Sequence, residues 1–153
     1  MRATVLRAPV GSDVGPHRHH MNDSRQIYQG SCHCGRVTFE LKAKLGVVMD
    51  CNCSICRRRG ALWHGASDTS LRISSGKDDL QLYQFNTMTA KHYFCRHCGI
   101  HPFVRPRLDP SRWAVNVRCI EGIDLSSLEV RVFDGENWEA AAHAFAQPQQ
   151  LKP

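Results

Sequence analysis

From Ile27 onward the chain alternates apolar and polar residues in short runs broken by turn-forming residues, a period of two that predicts strands rather than helices. Val37, Phe39 and Leu41 alternate with Arg36, Thr38 and Glu40, the pattern of a half-buried strand. Leu80 to Phe85 and Lys91 to Phe94 read as two more strands flanking an Asn86-Thr87 turn. Trp113, Val115, Val117 and Cys119 fall on one face of a further strand, with Asn116 and Arg118 on the other. Val130 and Val132 begin a last strand that stops at an Asp134-Gly135 turn. Helix is expected only in short pieces, around Leu125 to Leu128. The predicted class is mostly β, and the chain has no internal repeat.

The ends lack this periodicity. Residues 1–25 mix Pro9, Gly11, Gly15 and Pro16 with His17, His19 and His20, and are expected to be a disordered extension, with Met21 as an alternative start. A solvated tail is the simpler reading of those histidines than a metal site. Residues 26–146 are expected to form the domain, and 147–153 a loose C-terminal tail. A length of 153 residues suits one core. No apolar run approaches the roughly 18 residues of a membrane span, and no apolar stretch follows the early arginines as in a secretory signal. A cytoplasmic protein is therefore expected.

Eight cysteines change the picture. In a reducing compartment such thiols point to metal rather than to disulfides. Their spacing agrees: Cys32-x-Cys34, Cys51-x-Cys53-x-x-Cys56 and Cys95-x-x-Cys98, with Cys119 alone. The triplet is compact enough to wrap one zinc, which leaves two pairs for a four-thiolate site. Structural zinc is closed by four protein ligands, whereas three leave a position for water or substrate. One closed and one open site are thus expected. Spacing alone does not fix the pairing, and Cys119, His64, His97 or His101 could complete the second site. Gly35 and Gly99, each directly after a cysteine, suit tight metal-binding turns.

A net charge of +6 invites a nucleic-acid reading, but seven thiolates on two zinc ions would lower it to about +3. The chain also lacks the interleaved basic and aromatic residues of a single-strand binder and an evident groove-reading helix. Nucleic acid is not expected as a partner. Arg57, Arg58 and Arg59 follow the triplet directly, where guanidinium groups can offset thiolate charge or bind a carboxylate. Arg57 and Arg58 are the candidate contacts for a thiol substrate's carboxylates. His64, beside Trp63, is a candidate proton donor or pocket residue. Cys119 reads as a core thiol, and His33 and His97 as exposed turn residues.

At Gly30-Ser-Cys-His-Cys-Gly35, Cys51-Asn-Cys-Ser-Ile-Cys-Arg-Arg58, Phe94-Cys-Arg-His-Cys-Gly99 and the segment Trp113 to Gly122, the chain resembles the glutathione-dependent formaldehyde-activating enzymes, a family that includes the centromere protein V group. The resemblance covers about residues 27–133. It implies a β-tent fold of the Mss4-like type. It implies a structural zinc on Cys32, Cys34, Cys95 and Cys98, and a catalytic zinc on Cys51, Cys53 and Cys56. The activity it implies is the joining of glutathione to formaldehyde, giving S-(hydroxymethyl)glutathione, formally a carbon–sulfur lyase run backwards. The partners would be a small-molecule thiol and an aldehyde. The alternative, suggested by the centromere-protein branch, is a non-catalytic zinc module that binds protein or nucleic acid.

Overall fold

A computed structural model describes residues 25–146. The expectations for the N-terminal extension before residue 25 and for the tail 147–153 lie outside the described residues. The rest is mostly β, in two sheets. Strands β1 (Gln26–Ser31), β2 (Thr38–Ala43) and β5 (Leu71–Ser75) form a three-stranded antiparallel sheet with β2 in the middle. The larger sheet begins with β10 (Glu129–Phe133), β3 (Val47–Cys51) and β4 (Leu62–Ala66). It continues through β9 (Trp113–Asn116), β8 (Phe103–Arg105), β7 (Lys91–Cys95) and β6 (Leu80–Tyr83). Every pairing in it is antiparallel except β10 beside β3.

The core lies where the small sheet covers one face of the large one. Val37, Phe39 and Leu41 are fully buried there, as their alternation predicts. Phe39 meets Phe103 edge-on with ring centroids 4.9 Å apart. Burying rings of this size stabilises the fold by about 2–3 kcal/mol each. Gly30 allows the close approach: a Cβ there would lie 2.2 Å from the Phe39 ring and 2.7 Å from the Cys119 carbonyl oxygen.

Period two gives each strand of the large sheet a second face. Leu62 and Ala66 of β4 join the main core, whereas Trp63 joins a smaller cluster with Cys56, Ala61, Val104 and Ala114. That second face carries the site.

Three sequence expectations need correction. The strand from Trp113 ends at Asn116, and Val117–Cys119 form a 3-10 turn. Asn116 is buried rather than outward. Its side-chain oxygen accepts from the Leu62 and Arg118 N–H groups, and its amide donates to the His101 carbonyl. A nine-residue helix, α2 (Trp138–Ala146), follows β10 where no helix was expected. The expected piece near Leu125 is present as a 3-10 turn over Leu125–Ser127, capped by the Asp124 side chain. No helix among the described residues is long and apolar enough to cross a membrane.

Candidate functional site

The cysteines gather in two groups, and within each the sulfurs all lie within 4.8 Å of one another. Cys32 and Cys34 come from the turn between β1 and β2, and Cys95 and Cys98 from the turn between β7 and β8. Cys34 Sγ stands 3.5 Å from Cys32 Sγ and 3.7 Å from Cys95 Sγ. Both turns are built alike. Gly35 and Gly99 adopt φ values of 74° and 73°, and their N–H groups donate back to the Cys32 and Cys95 carbonyls. The Val37 N–H points at Cys32 Sγ from 3.4 Å. This cluster ties the small sheet to the large one.

Cys51, Cys53 and Cys56 form the second group, where β3 ends and the single-turn helix α1 (Cys56–Arg59) begins. Thiol hydrogen bonds from Cys51 and then Cys56 hold the Cys53 thiol down to about 2, while the same contacts, with burial, push Cys56 far up. Three thiols with their sulfurs this close together favour a cation among them. Cys119 joins neither group. It packs beside the main core, its Sγ lies 4.0 Å from the His101 carbonyl, and burial raises its thiol to about 12.

The β10–α2 segment closes over the triplet. The Asn52 side chain donates to Asp134 and accepts from the Glu136 N–H, each at 3.0 Å. Gly135 touches the sulfur cluster itself: a Cβ there would lie 2.6 Å from Cys53 Cβ and 2.7 Å from Cys51 Sγ. Contacts that close force a displacement. Gly135→Ala is expected to weaken metal binding at the triplet by tenfold or more, read by competition with a graded chelator, while the four-cysteine cluster keeps its metal. An unchanged affinity would show that the 133–136 segment is not part of the site.

All three triplet cysteines line a cleft of about 980 Å³, and none of Cys32, Cys34, Cys95 and Cys98 does. Its walls include Trp63, Val104 and Ala114 from the sheet, the 85–87 and 106–109 loops, and Trp138 and Phe145 of α2. His92 lines it too, stacked on Phe85, and burial, with help from Arg59, lowers its ring to about 4. Trp63 Nε1, His92 Nδ1, His101 Nδ1 and Arg59 Nη1 are buried without a hydrogen-bond partner in the described structure.

The candidate arginines separate. Arg57 lines the cleft but pairs with Glu136 at 2.8 Å. Arg58 donates to the Ser54 carbonyl and is not on the lining. Arg59 is half-buried among Cys56, Tyr83 and Cys53, and burial lowers it to about 10. His64 is not brought to the triplet. It follows Trp63 on β4, faces the opposite way, and lines a different cleft between β2 and β4. Its Nδ1 lies 3.4 Å from the Val47 carbonyl, and burial lowers its ring below the ordinary range.

A two-sheet β domain stapled by one thiol cluster, with a second at the wall of a cleft, defines a small protein with two candidate metal sites. Residues 27–146 match the profile of the glutathione-dependent formaldehyde-activating enzymes, and the chain belongs to that family. A crystal structure of a Rhodobacter sphaeroides protein is similar, with 41% identity and a TM-score of 0.61. The match covers 67% of this chain and 99% of that one.

Proposed function

We propose that this protein is a zinc-dependent carbon–sulfur lyase that joins glutathione to formaldehyde, giving S-(hydroxymethyl)glutathione. The observation that carries the reading is that the three-thiol cluster, and not the four-thiol one, lines the cleft. The donor sets suit zinc: soft thiolates, four to close a structural site at Cys32, Cys34, Cys95 and Cys98, three to leave one open at Cys51, Cys53 and Cys56. Zinc bound at the triplet supplies Lewis acidity and favours a thiolate.

The remaining work falls to the chain. In the overall reaction the S–H bond and the C=O π bond break, C–S and O–H bonds form, and nothing is oxidised or reduced. Trp63, Val104 and Ala114 give the cleft an apolar wall against which the aldehyde can pack. Arg57 on the lining can exchange Glu136 for a substrate carboxylate, which orients the thiol. With His64 on the far face of β4, proton transfer in the cleft falls to solvent. The eight cysteines, none in a disulfide, suit a reducing compartment such as the cytoplasm.

Exchange spectroscopy by NMR tests the reading directly. The zinc-loaded protein is expected to speed interconversion of formaldehyde and S-(hydroxymethyl)glutathione above the uncatalysed rate, and chelation of the triplet metal to remove the gain. A rate equal to the protein-free background would remove this substrate pair.

A further inference from the structure

Three guanidinium groups line the cleft beside the triplet, and two already have partners. Arg57 pairs with Glu136 at 2.8 Å. Arg107 pairs with Glu139 at 2.6 Å and lies 3.6 Å above the Trp138 ring. Arg112 is exposed, and its side chain makes neither an ion pair nor a hydrogen bond among the described residues. Its backbone is fixed by an N–H bond to the Asp109 carbonyl.

Arg112 also lines the second cleft, of about 820 Å³, and shares that double position with Gly65. The two clefts therefore adjoin at the end of the β4–β9 pair, where Gly65 stands opposite Ala114. Gly65 carries no side chain there, and the Arg112 guanidinium lies 4.0 Å from where its Cβ would be. The second cleft is cationic. Lys42, Lys44 and Arg25 line it, and none of them is ion-paired among the described residues. Its single acidic residue, Asp68, is taken up by Arg105 and the Trp113 indole N–H.

The spacing fits a peptide. Asp50 pairs with Leu62, so Cys51 lies level with Ala61, and Gly65 is four residues further along β4. At the rise of a strand that is about 13 Å. In glutathione the sulfur is on the middle residue, so with the sulfur at the triplet a carboxylate reaches about 7 Å, two residues of chain, and a guanidinium reaching back from Arg112 covers the rest.

Resting on the proposed glutathione chemistry, we infer that Arg112 anchors a carboxylate of the thiol substrate, with Lys42 and Lys44 adding positive charge to the cleft beside it. The site thereby selects an acidic thiol peptide over neutral thiols. Arg57 remains available to the other carboxylate by exchange with Glu136, Arg107 stays with Glu139, and the unpaired charge lies at the junction of the clefts.

Binding of glutathione and of glutathione diethyl ester to the zinc-loaded protein, followed by calorimetry, tests the inference. Wild type is expected to bind glutathione about tenfold or more tightly than the diester, the worth of one charge-assisted contact. Arg112→Gln should lose most of that preference, and the Lys42→Gln/Lys44→Gln pair a smaller part. Lys77→Gln, exposed on a distant turn, should keep it. Equal binding of acid and ester by wild type, or undiminished preference in Arg112→Gln, would overturn the assignment and leave the proposed function standing. Binding of neither ligand by wild type would remove the glutathione reading, and the assignment with it.

Discussion

Cys53→Ser is expected to leave one metal ion per chain in place of two and to return thiol–aldehyde exchange to its uncatalysed rate. Cys53 is the middle cysteine of the triplet, and the Cys51 and Cys56 thiols beside it hold its own thiol well below the ordinary range. A serine hydroxyl is a hard, weakly acidic donor and does not replace a thiolate on zinc. The cluster lies on the second face of the large sheet, away from the main core, so the fold should survive with a loss of no more than about 2 kcal/mol. Metal analysis, thermal unfolding and exchange NMR on one preparation separate these effects. Cys119→Ala, which alters a thiol outside both clusters, should keep two ions and the wild-type rate. Full activity in Cys53→Ser would end the claim that the triplet is the reacting site.

The opposite pattern is expected for Cys95→Ser. Cys95 is fully buried, ends β7, and reaches Cys34 across 61 positions of sequence. A metal ion shared between those turns closes a long loop and contributes its binding energy to folding. Its loss should cost about 5 kcal/mol or more, comparable with the whole stability of a domain this size. The variant is expected to be largely unfolded at room temperature and to lose both ions. A thermal midpoint within a few degrees of wild type would show that the cluster is not a staple.

Much of this was legible because it rests on short-range rules. The alternation of Val37, Phe39 and Leu41 marks β2 without any tertiary information. The cysteine spacing likewise marks the groups that gather. What escaped depends on neighbours. Asn116 breaks its own alternation because the strand ends there and three backbone groups need its amide. The helix α2 is carried by Ala-rich propensity and by Trp138, Ala142 and Phe145 spaced at four and three residues, a signal weaker than the strands before it. In the arginine run, Arg59 lies three residues after Cys56 on α1 and so shares the face buried beside the triplet. Recognising that one helical turn would have singled it out. Gly135 reads as a turn residue, but its need for a bare backbone comes from cysteines over eighty residues away. Arg112 carries no motif, and only the junction of two clefts distinguishes it.

The parallel pairing of β10 with β3 sets an order of events at the ribosome. Residues 32 to 98 hold all four sulfurs of the larger cluster, so its donor set is complete while the C-terminal third is still unsynthesised. The triplet has its three sulfurs by residue 56 but acquires its roof, Phe133 to Glu136, only with the last turns of translation. A nascent chain therefore presents the bare Cys51–Cys56 segment to the cell for most of its synthesis. Closing of the triplet is a late step, and a chain interrupted before residue 133 would leave those thiols open to oxidation.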